Sequence, residues 1–157
     1  NDPKRKKCYL VQIGSKEMYN DLSSLGFTPK KDLTMKFPHI PEKYLSHFVR
    51  GYFDGDGSIS YGYYARKGRG TKPFIVSLRF ACGNAVFLKK LAVLLKNHAR
   101  VNGGYVYGNK KGNWLCYSKN DTLSLFKYMY NSTDGGLFLE RKYNKFQDIF
   151  KALGDVA

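Results

Sequence analysis

The strongest periodic pattern in the chain lies in residues 41–53. Apolar side chains recur there at a helical spacing and not at the strand spacing of two, at Tyr44, Leu45, Phe48, Val49, Tyr52 and Phe53. Pro41 suits a first helical turn, because its missing N–H would have no partner there. Gly51 and Gly55 leave part of the helix nearly bare, so another backbone can approach closely. The pattern predicts an amphipathic helix that ends near Asp56 and packs tightly against another element.

Two strand hairpins are predicted after this helix. Residues 58–65 alternate Ile59, Tyr61 and Tyr63 against Ser60, Gly62 and Tyr64. Residues 74–82 alternate again, and we expect Phe74, Val76, Leu78, Phe80 and Cys82 to face helices, and Ile75, Ser77, Arg79 and Ala81 to face a ligand. Residues 105–108 and 114–118 form the second hairpin, joined by residues 109–113.

Further helices are predicted on both sides of the second hairpin. Asn84 can cap a helix with a packed stripe at Phe87, Leu88, Leu91, Leu94, Leu95 and His98, where His98 is a core or helix-end histidine. Another helix begins at about Asn120, and a last one follows residue 137. From residue 41 the order is helix, hairpin, helix, hairpin, helix, helix.

The first part of the chain carries a shorter strand and helix pattern. Residues 8–13 predict a buried strand, and Ser15 can cap a helix that runs to about Leu25, with Met18 and Leu22 on its apolar side and Gly26 as its stop. The order strand, helix, loop, basic pair recurs over residues 114–142. Either residues 1–38 are the end of a preceding repeat, or both segments are ordinary strand and helix pairs.

The 157-residue chain is strongly basic, with 27 Lys and Arg against 12 Asp and Glu and a net charge of +15. Its length suits one ordinary domain. The charge favours a polyanionic partner, with nucleic acid as the first candidate and an anionic membrane surface as the second. No apolar run approaches a membrane span, and no signal peptide is recognisable. Cys8, Cys82 and Cys116 lack zinc spacing, so we interpret them as reduced thiols of an intracellular protein.

Positive charge is concentrated in the middle of the chain. No Asp or Glu occurs from residue 57 to residue 120, where many Lys and Arg occur. A soluble surface normally mixes both signs, whereas phosphate binding uses uncompensated cations. The hairpins are therefore predicted to form a phosphate-binding surface.

Two acids close the first helix in the string Asp54-Gly-Asp56-Gly. A calcium loop of the EF-hand type is excluded, because its sixth and twelfth positions would be Ile59 and Ala65 where Gly and Glu are required. Two interpretations remain on spacing alone. The string is either a plain turn that ends the helix or a magnesium-binding helix end.

Residues 49–59, Val-Arg-Gly-Tyr-Phe-Asp-Gly-Asp-Gly-Ser-Ile, resemble the LAGLIDADG motif of homing endonucleases and related intron maturases. Arg50 replaces the usual small second residue. Residues 39–153 also resemble the αββαββα unit of that family, an α+β fold whose four-stranded antiparallel sheet forms a saddle over the DNA major groove. Together with the recurring strand and helix pattern, this predicts two segments: residues 1–38, which resemble the end of a preceding repeat, and residues 39–157, the LAGLIDADG unit.

The resemblance also implies a catalytic site that holds Mg²⁺ or another divalent cation. Asp56 would be the metal-binding carboxylate, the Gly55 carbonyl a second ligand, and Asp54 mainly structural. Residues 139–142, Leu-Glu-Arg-Lys, resemble a late segment of the family, so Lys142 would stabilise charge on the scissile phosphate or orient the attacking water. The polar residue that the family often has near the end of the second strand is Ala81 here.

Partners and contact residues follow from the same resemblance. Double-stranded DNA is expected at the sheet, with base or phosphate contacts from Ser60, Tyr64, Arg66, Lys67, Arg69, Lys72, Ser77, Arg79, Tyr107, Asn109, Lys110 and Lys111. The tyrosines have cross-strand packing as an alternative role. A second LAGLIDADG unit, from a homodimer or an upstream repeat, is expected against Tyr44, Phe48, Gly51, Tyr52 and Gly55. The alternative functions are an RNA-binding maturase and a DNA-binding regulator that does not cleave.

Overall fold

The computed structural model describes residues 10–27, 33, 35–65, 68, 70–131 and 136–154. The chain divides into two compact units, Asn1–Lys31 and Asp32–Ala157. A repeat origin for residues 1–38 stays a prediction. Among the helices of the described ranges, none is both long and apolar enough to cross a membrane.

The first unit contains the helix α1, Lys16–Ser24. Its predicted cap is confirmed, because the Ser15 hydroxyl accepts a hydrogen bond from the Met18 N–H at 3.2 Å. Gly26 ends the helix region with a φ of +89°. The predicted buried strand is wrong for residues 10–13, which form no strand and include Leu10 at 87% exposure, and its first two residues, 8 and 9, lie outside the described ranges. An apolar run becomes a strand only where a neighbouring strand pairs with it, and the pattern alone does not supply that neighbour.

The second unit contains four strands and four further α-helices within its described residues. A 3₁₀ turn, Glu42–Tyr44, leads from Pro41 into the helix α2, Leu45–Asp56. The elements that follow are β1, Gly57–Tyr63; β2, Phe74–Cys82; α3, Ala85–His98; β3, Tyr105–Asn109; β4, Gly112–Tyr117; α4, Lys119–Tyr130; and α5, Glu140–Gly154. The predicted α+β fold and its αββαββα order are confirmed.

The strands form one antiparallel sheet in the order β1-β2-β4-β3. One face is buried against helices and carries Ile59, Val76, Leu78, Phe80 and Leu115. The opposite face, which we term the open face, carries Ser58, Ser60, Ile75, Ser77, Arg79, Ala81, Tyr105, Tyr107, Asn109, Trp114 and Cys116 on alternate positions. The predicted division of β2 between a helix side and a ligand side matches this alternation.

Polar side chains also fix the helices of the second unit. The Asn84 side chain caps α3 as predicted, accepting from Val86 N–H at 2.9 Å and Phe87 N–H at 3.4 Å. Arg50 is buried, and its guanidinium donates to the carbonyls of Leu137 at 3.0 Å and Met129 at 3.1 Å. The residue that departs from the motif therefore joins α2 to the end of α4 and to the segment before α5.

Candidate functional site

The two acids at the end of α2 have different surroundings. The Asp54 carboxylate accepts a hydrogen bond from the Leu139 N–H at 3.0 Å and from the Tyr130 hydroxyl at 3.4 Å. Asp56 is exposed, and its carboxylate makes no hydrogen bond or ion pair with the described residues. Asp54 therefore anchors α2 within its own unit, while the Asp56 carboxylate is available to a ligand.

The turn that follows Asp56 has no room for a side chain. A Cβ at Gly57 would overlap the Phe53 backbone and ring. The chain passes directly from the last residue of α2 into β1 at this glycine. No loop residue separates Asp56 from the sheet. The backbone position of Asp56 is thus set by two regular elements.

Lys142 lies beneath the end of α2 and is only 4% exposed. Its Nζ donates hydrogen bonds to the carbonyls of Phe53 at 2.6 Å, Asp54 at 2.8 Å and Gly57 at 2.5 Å. A lysine ammonium has three hydrogens to donate, so these bonds use all of them. The predicted roles of Lys142, to stabilise charge on the scissile phosphate or to orient the attacking water, stay predictions; a direct contact in either role would require at least one of these bonds to break.

Charge at this helix end is balanced locally. The C-terminus of a helix carries partial negative charge, which disfavours a carboxylate such as Asp56. Lys142 places a cation against the same turn. Burial lowers the pKa of Lys142 and Arg141 adds to that effect, while the carboxylates of Asp54 and Asp56 raise it. The attraction links Lys142 electrostatically to both acids of the motif.

Metal ligands within this chain are few. Across the described ranges, no cluster of three or more His, Cys, Asp or Glu could hold a metal ion. Asp56 supplies an exposed carboxylate, and Gly55 is one of the last four helical residues, whose carbonyls lack partners within a helix. Both are the oxygen ligands that Mg²⁺ accepts, but a full coordination shell needs further oxygens from water, a phosphate or a second unit.

The open face brings together several of the predicted DNA-contacting side chains. Ser60 pairs with Ser77 across β1 and β2, and Arg79 pairs with Cys116 across β2 and β4. Tyr107 and Asn109 extend the same face onto β3. Ala81 lies on this face one position beyond the pairing of Gly57 with Phe80, and its side chain offers no polar group near Asp56.

The remaining predicted contacts belong to the two hairpin connections. Tyr64 and Lys72 are exposed between β1 and β2, whereas Arg66, Lys67 and Arg69 lie outside the described residues. Lys110 and Lys111 are exposed in the turn between β3 and β4, where the Asn109 side chain accepts from the Lys111 N–H at 2.7 Å. Because β2 and β4 are antiparallel, the two connections lie at opposite ends of the sheet.

The face of α2 that was predicted to meet a second unit is partly open. Tyr44 is 53% exposed, and a Cβ added at Gly51 or Gly55 would meet nothing within 4 Å. Phe48 and Tyr52 instead contribute partly to their own core, where the Tyr52 hydroxyl donates to the Ala81 carbonyl at 2.6 Å. The space at both glycines is not needed by the described packing of this unit.

Two residues of the open face were missed by the sequence reasoning. Tyr105 and Trp114 continue the row that begins with Tyr107, and the cross-strand packing expected for the tyrosines occurs between Tyr107 and Trp114. Alternation counted back from Tyr107 would have identified Tyr105. To predict Trp114 one must know the register of β3 against β4, and this register depends on the turn at Lys110 and Lys111.

Comparison with protein families tests the motif and the fold together. The sequence model of the LAGLIDADG endonuclease family matches residues 49–153, more than half of the chain. The chain belongs to the LAGLIDADG endonuclease family. The match includes α2 with Asp56 and extends through the sheet to α5 with Lys142. The family predicted from residues 49–59 is confirmed. No curated protein matches the chain significantly.

Solved structures share the fold of this LAGLIDADG chain at low sequence identity. The homing endonuclease I-TnaI has a TM-score of 0.52 at 16% identity, over 70% of this chain and 74% of that one. The LAGLIDADG homing endonuclease I-LtrWI, bound to target DNA, has a TM-score of 0.50 at 15% identity, over 72% of this chain and 38% of that one. I-SmaMI, a LAGLIDADG homing endonuclease bound to cleaved DNA, has a TM-score of 0.50 at 17% identity, over 90% and 45%. This chain spans less than half the length of the last two.

Proposed function

We propose that this LAGLIDADG chain is one unit of a sequence-specific endonuclease that hydrolyses double-stranded DNA with a divalent metal ion. The observation that supports the proposal is the exposed Asp56 residue at the junction of α2 with β1, the first strand of a sheet that has an open face. Two of the solved structures that share the fold contain DNA. The family assignment supports a nuclease more strongly than a maturase or a regulator.

The charge and length of the sheet suit a DNA duplex. The ion pair found within the described residues, between His98 and Glu42, lies away from the open face, so Arg79, Lys110 and Lys111 have no acidic partner there. The nine residues of β2 span about 26 Å at about 3.3 Å per residue. A duplex rises about 3.4 Å per base pair, so the two hairpin connections are separated by the length of about eight base pairs. The strands would read base edges and the connections would hold phosphates.

Asp56 and the Gly55 carbonyl are the residues that would hold the divalent ion. The ion, when bound, would make a water more acidic and offset negative charge on the scissile phosphate. Asp54 and Lys142 would position the end of α2 so that the Asp56 carboxylate faces the phosphate. The catalytic contribution of Lys142 is then exerted through the backbone of α2.

Cleavage of both strands requires a second acid from a second LAGLIDADG unit. We propose that this unit packs on the surface formed by Tyr44, in the turn before α2, and by Gly51 and Gly55 of α2, together with the exposed parts of Phe48 and Tyr52. The open space at the two glycines supports close approach of another helix. A homodimer would recognise a partly palindromic site, and an upstream repeat an asymmetric one. If the second unit is an upstream repeat, residues 1–38 would be its end. The rest of that repeat would then cover the exposed Leu10 and Leu25.

The decisive experiment separates binding from cleavage. Duplexes that the chain binds are selected from a randomised DNA library in Ca²⁺ and then incubated with Mg²⁺. The Asp56→Asn variant should bind the selected duplexes within about three-fold of the wild type, yet cleave at least about 10²-fold more slowly, because a charged group at the reacting centre is lost. Glu140→Gln, which neutralises an exposed acid of α5, is the matched control and should retain both properties.

Other outcomes would identify the alternative functions. Binding of duplex DNA without cleavage by the wild type, in a sample whose mass on DNA corresponds to two units, would indicate a regulator. Tighter binding of structured RNA than of any selected duplex would indicate a maturase. Sedimentation with and without DNA measures the assembly, and Gly51→Leu should abolish a homodimer while Gly154→Leu, another helical glycine with open space, should not.

A further inference from the structure

A row of three aromatic rings lies on the open face at the β3 edge of the sheet. The ring centroids of Tyr105 and Tyr107 are 5.9 Å apart, and those of Tyr107 and Trp114 are 5.3 Å apart, with interplanar angles of 30° and 25°. Tyr105 is 64% exposed and Tyr107 is 36% exposed. None of the three belongs to the hydrophobic core cluster of the described residues. A contiguous exposed apolar surface of this kind marks a contact site.

The neighbours of this aromatic row restrict the chemistry of its partner. Arg79 lies beside it on β2, next to Cys116, which pairs with Tyr105. Lys110 and Lys111 lie at its end. A ligand that covers the row must therefore tolerate or use positive charge while also offering apolar groups. A nucleic acid meets both requirements.

The geometry of the rings favours one kind of contact with a nucleic acid. Tyr107 has near-parallel rings as neighbours in Tyr105 and Trp114. Stacking of bases on such rings needs unpaired bases, and the bases of a duplex are paired. The exposed parts of the Tyr105 and Tyr107 rings can instead contact a groove of the duplex. The apolar group that a DNA base pair presents in the major groove is the 5-methyl group of thymine.

We infer that Tyr105, Tyr107 and Trp114 select thymine through its 5-methyl group in the part of the DNA target that lies over β3. The inference rests on the proposed binding of duplex DNA by the open face. It assigns to this edge of the sheet a preference that the arginine and lysines cannot provide. Arg and Lys side chains bind phosphates of any sequence or the edge of guanine, whereas methyl contact distinguishes thymine from uracil and cytosine.

The test replaces thymine by deoxyuridine, which lacks the methyl group but keeps the same hydrogen-bonding edge. Duplexes selected by the wild type from a randomised library are sequenced and resynthesised with deoxyuridine at one thymine at a time. At the positions over β3, each lost methyl should weaken binding about four-fold, as expected for one buried methyl-sized group. Thymines elsewhere in the site should show no such dependence.

Substitutions in the aromatic row test whether its rings cause the weaker binding of deoxyuridine. Tyr105→Ala and Tyr107→Ala should reduce the thymine to deoxyuridine affinity ratio from about four to about one at the affected positions. Tyr63→Ala is the control, because Tyr63 is similarly exposed but lies on the opposite face beside Phe74, and its ratio should stay unchanged. Urea midpoints of all variants are measured, and Tyr105→Ala, at the most exposed ring, provides the second variant if Tyr107→Ala unfolds.

Three further results distinguish failure of this inference from failure of the proposed function. Enrichment of specific duplexes with equal affinity for thymine and deoxyuridine would overturn the inference and leave DNA recognition standing. Failure to enrich any duplex would instead overturn the proposed function. Tighter binding of single-stranded oligonucleotides that is lost in Tyr105→Ala would also overturn the inference, since it would indicate base stacking on the row.

Discussion

Replacement of Lys142 by methionine tests how the end of α2 is held. The substitution removes the buried ammonium and keeps a side chain of similar length. It leaves the carbonyls of Phe53, Asp54 and Gly57 without the donor that now lies 2.5–2.8 Å away. The helix end that carries Asp56 then also loses the cation that balances its partial negative charge.

The expected loss of stability follows from opposing contributions. Loss of each hydrogen bond from the charged ammonium costs about 1.5–3 kcal/mol, although the Phe53 carbonyl keeps the Gly57 N–H as a second donor. The variant also no longer has the cost of burying an ammonium, and this offsets several kcal/mol of the loss, on the order of half that sum. We expect Lys142→Met to lower the free energy of unfolding by about 2–4 kcal/mol, a large part of the roughly 5–15 kcal/mol of a typical domain.

Urea unfolding followed by circular dichroism measures this change. With an m-value of about 2 kcal/mol/M, the midpoint should fall by about 1–2 M. Lys145→Met is the matched control, because Lys145 is exposed one turn away on the same helix and should change the free energy by less than about 0.5 kcal/mol. An unchanged midpoint for Lys142→Met, together with a salt dependence of DNA binding reduced by about one phosphate contact, would refute the reasoning and support a direct phosphate contact by Lys142.

Two other substitutions test features that the sequence did not reveal. Arg50→Met should lower the free energy of unfolding by about 2–4 kcal/mol, because its buried bonds to the Leu137 and Met129 carbonyls are lost, whereas the exposed Arg141→Met should have little effect in the same urea assay. Tyr117→Phe should leave stability at pH 7 equal or raise it by about 1 kcal/mol, because no partner among the described residues bonds the buried hydroxyl. Burial raises the pKa of Tyr117, so as the pH rises the unfolded chain loses this proton before the folded chain does. The free energy of unfolding should therefore fall as the pH rises above 10. In a pH series the fall should be smaller for Tyr117→Phe, and an identical fall would contradict the raised pKa.

Local patterns predicted the elements that position the site. The alternation in β2, the Asn84 cap and the glycine-spaced helix each depend on neighbours within a few residues, so they were readable in the sequence. The carbonyl partners of Arg50 and Lys142 lie 79–89 residues away along the chain, and no local pattern identifies these carbonyls as acceptors. The absence of a strand at residues 10–13 has the same cause, because pairing depends on a neighbour and not on the apolar run itself.

The direct junction between α2 and β1 has a mechanical consequence. Asp56 is the final residue of the helix and Gly57 the first of the strand, so the backbone that carries the carboxylate has no loop hinge. A duplex that bound the sheet one step out of register would shift its phosphates by several ångströms, farther than rotation of the short Asp56 side chain can follow. We therefore expect fidelity to be enforced after docking, with misaligned duplexes held but left intact.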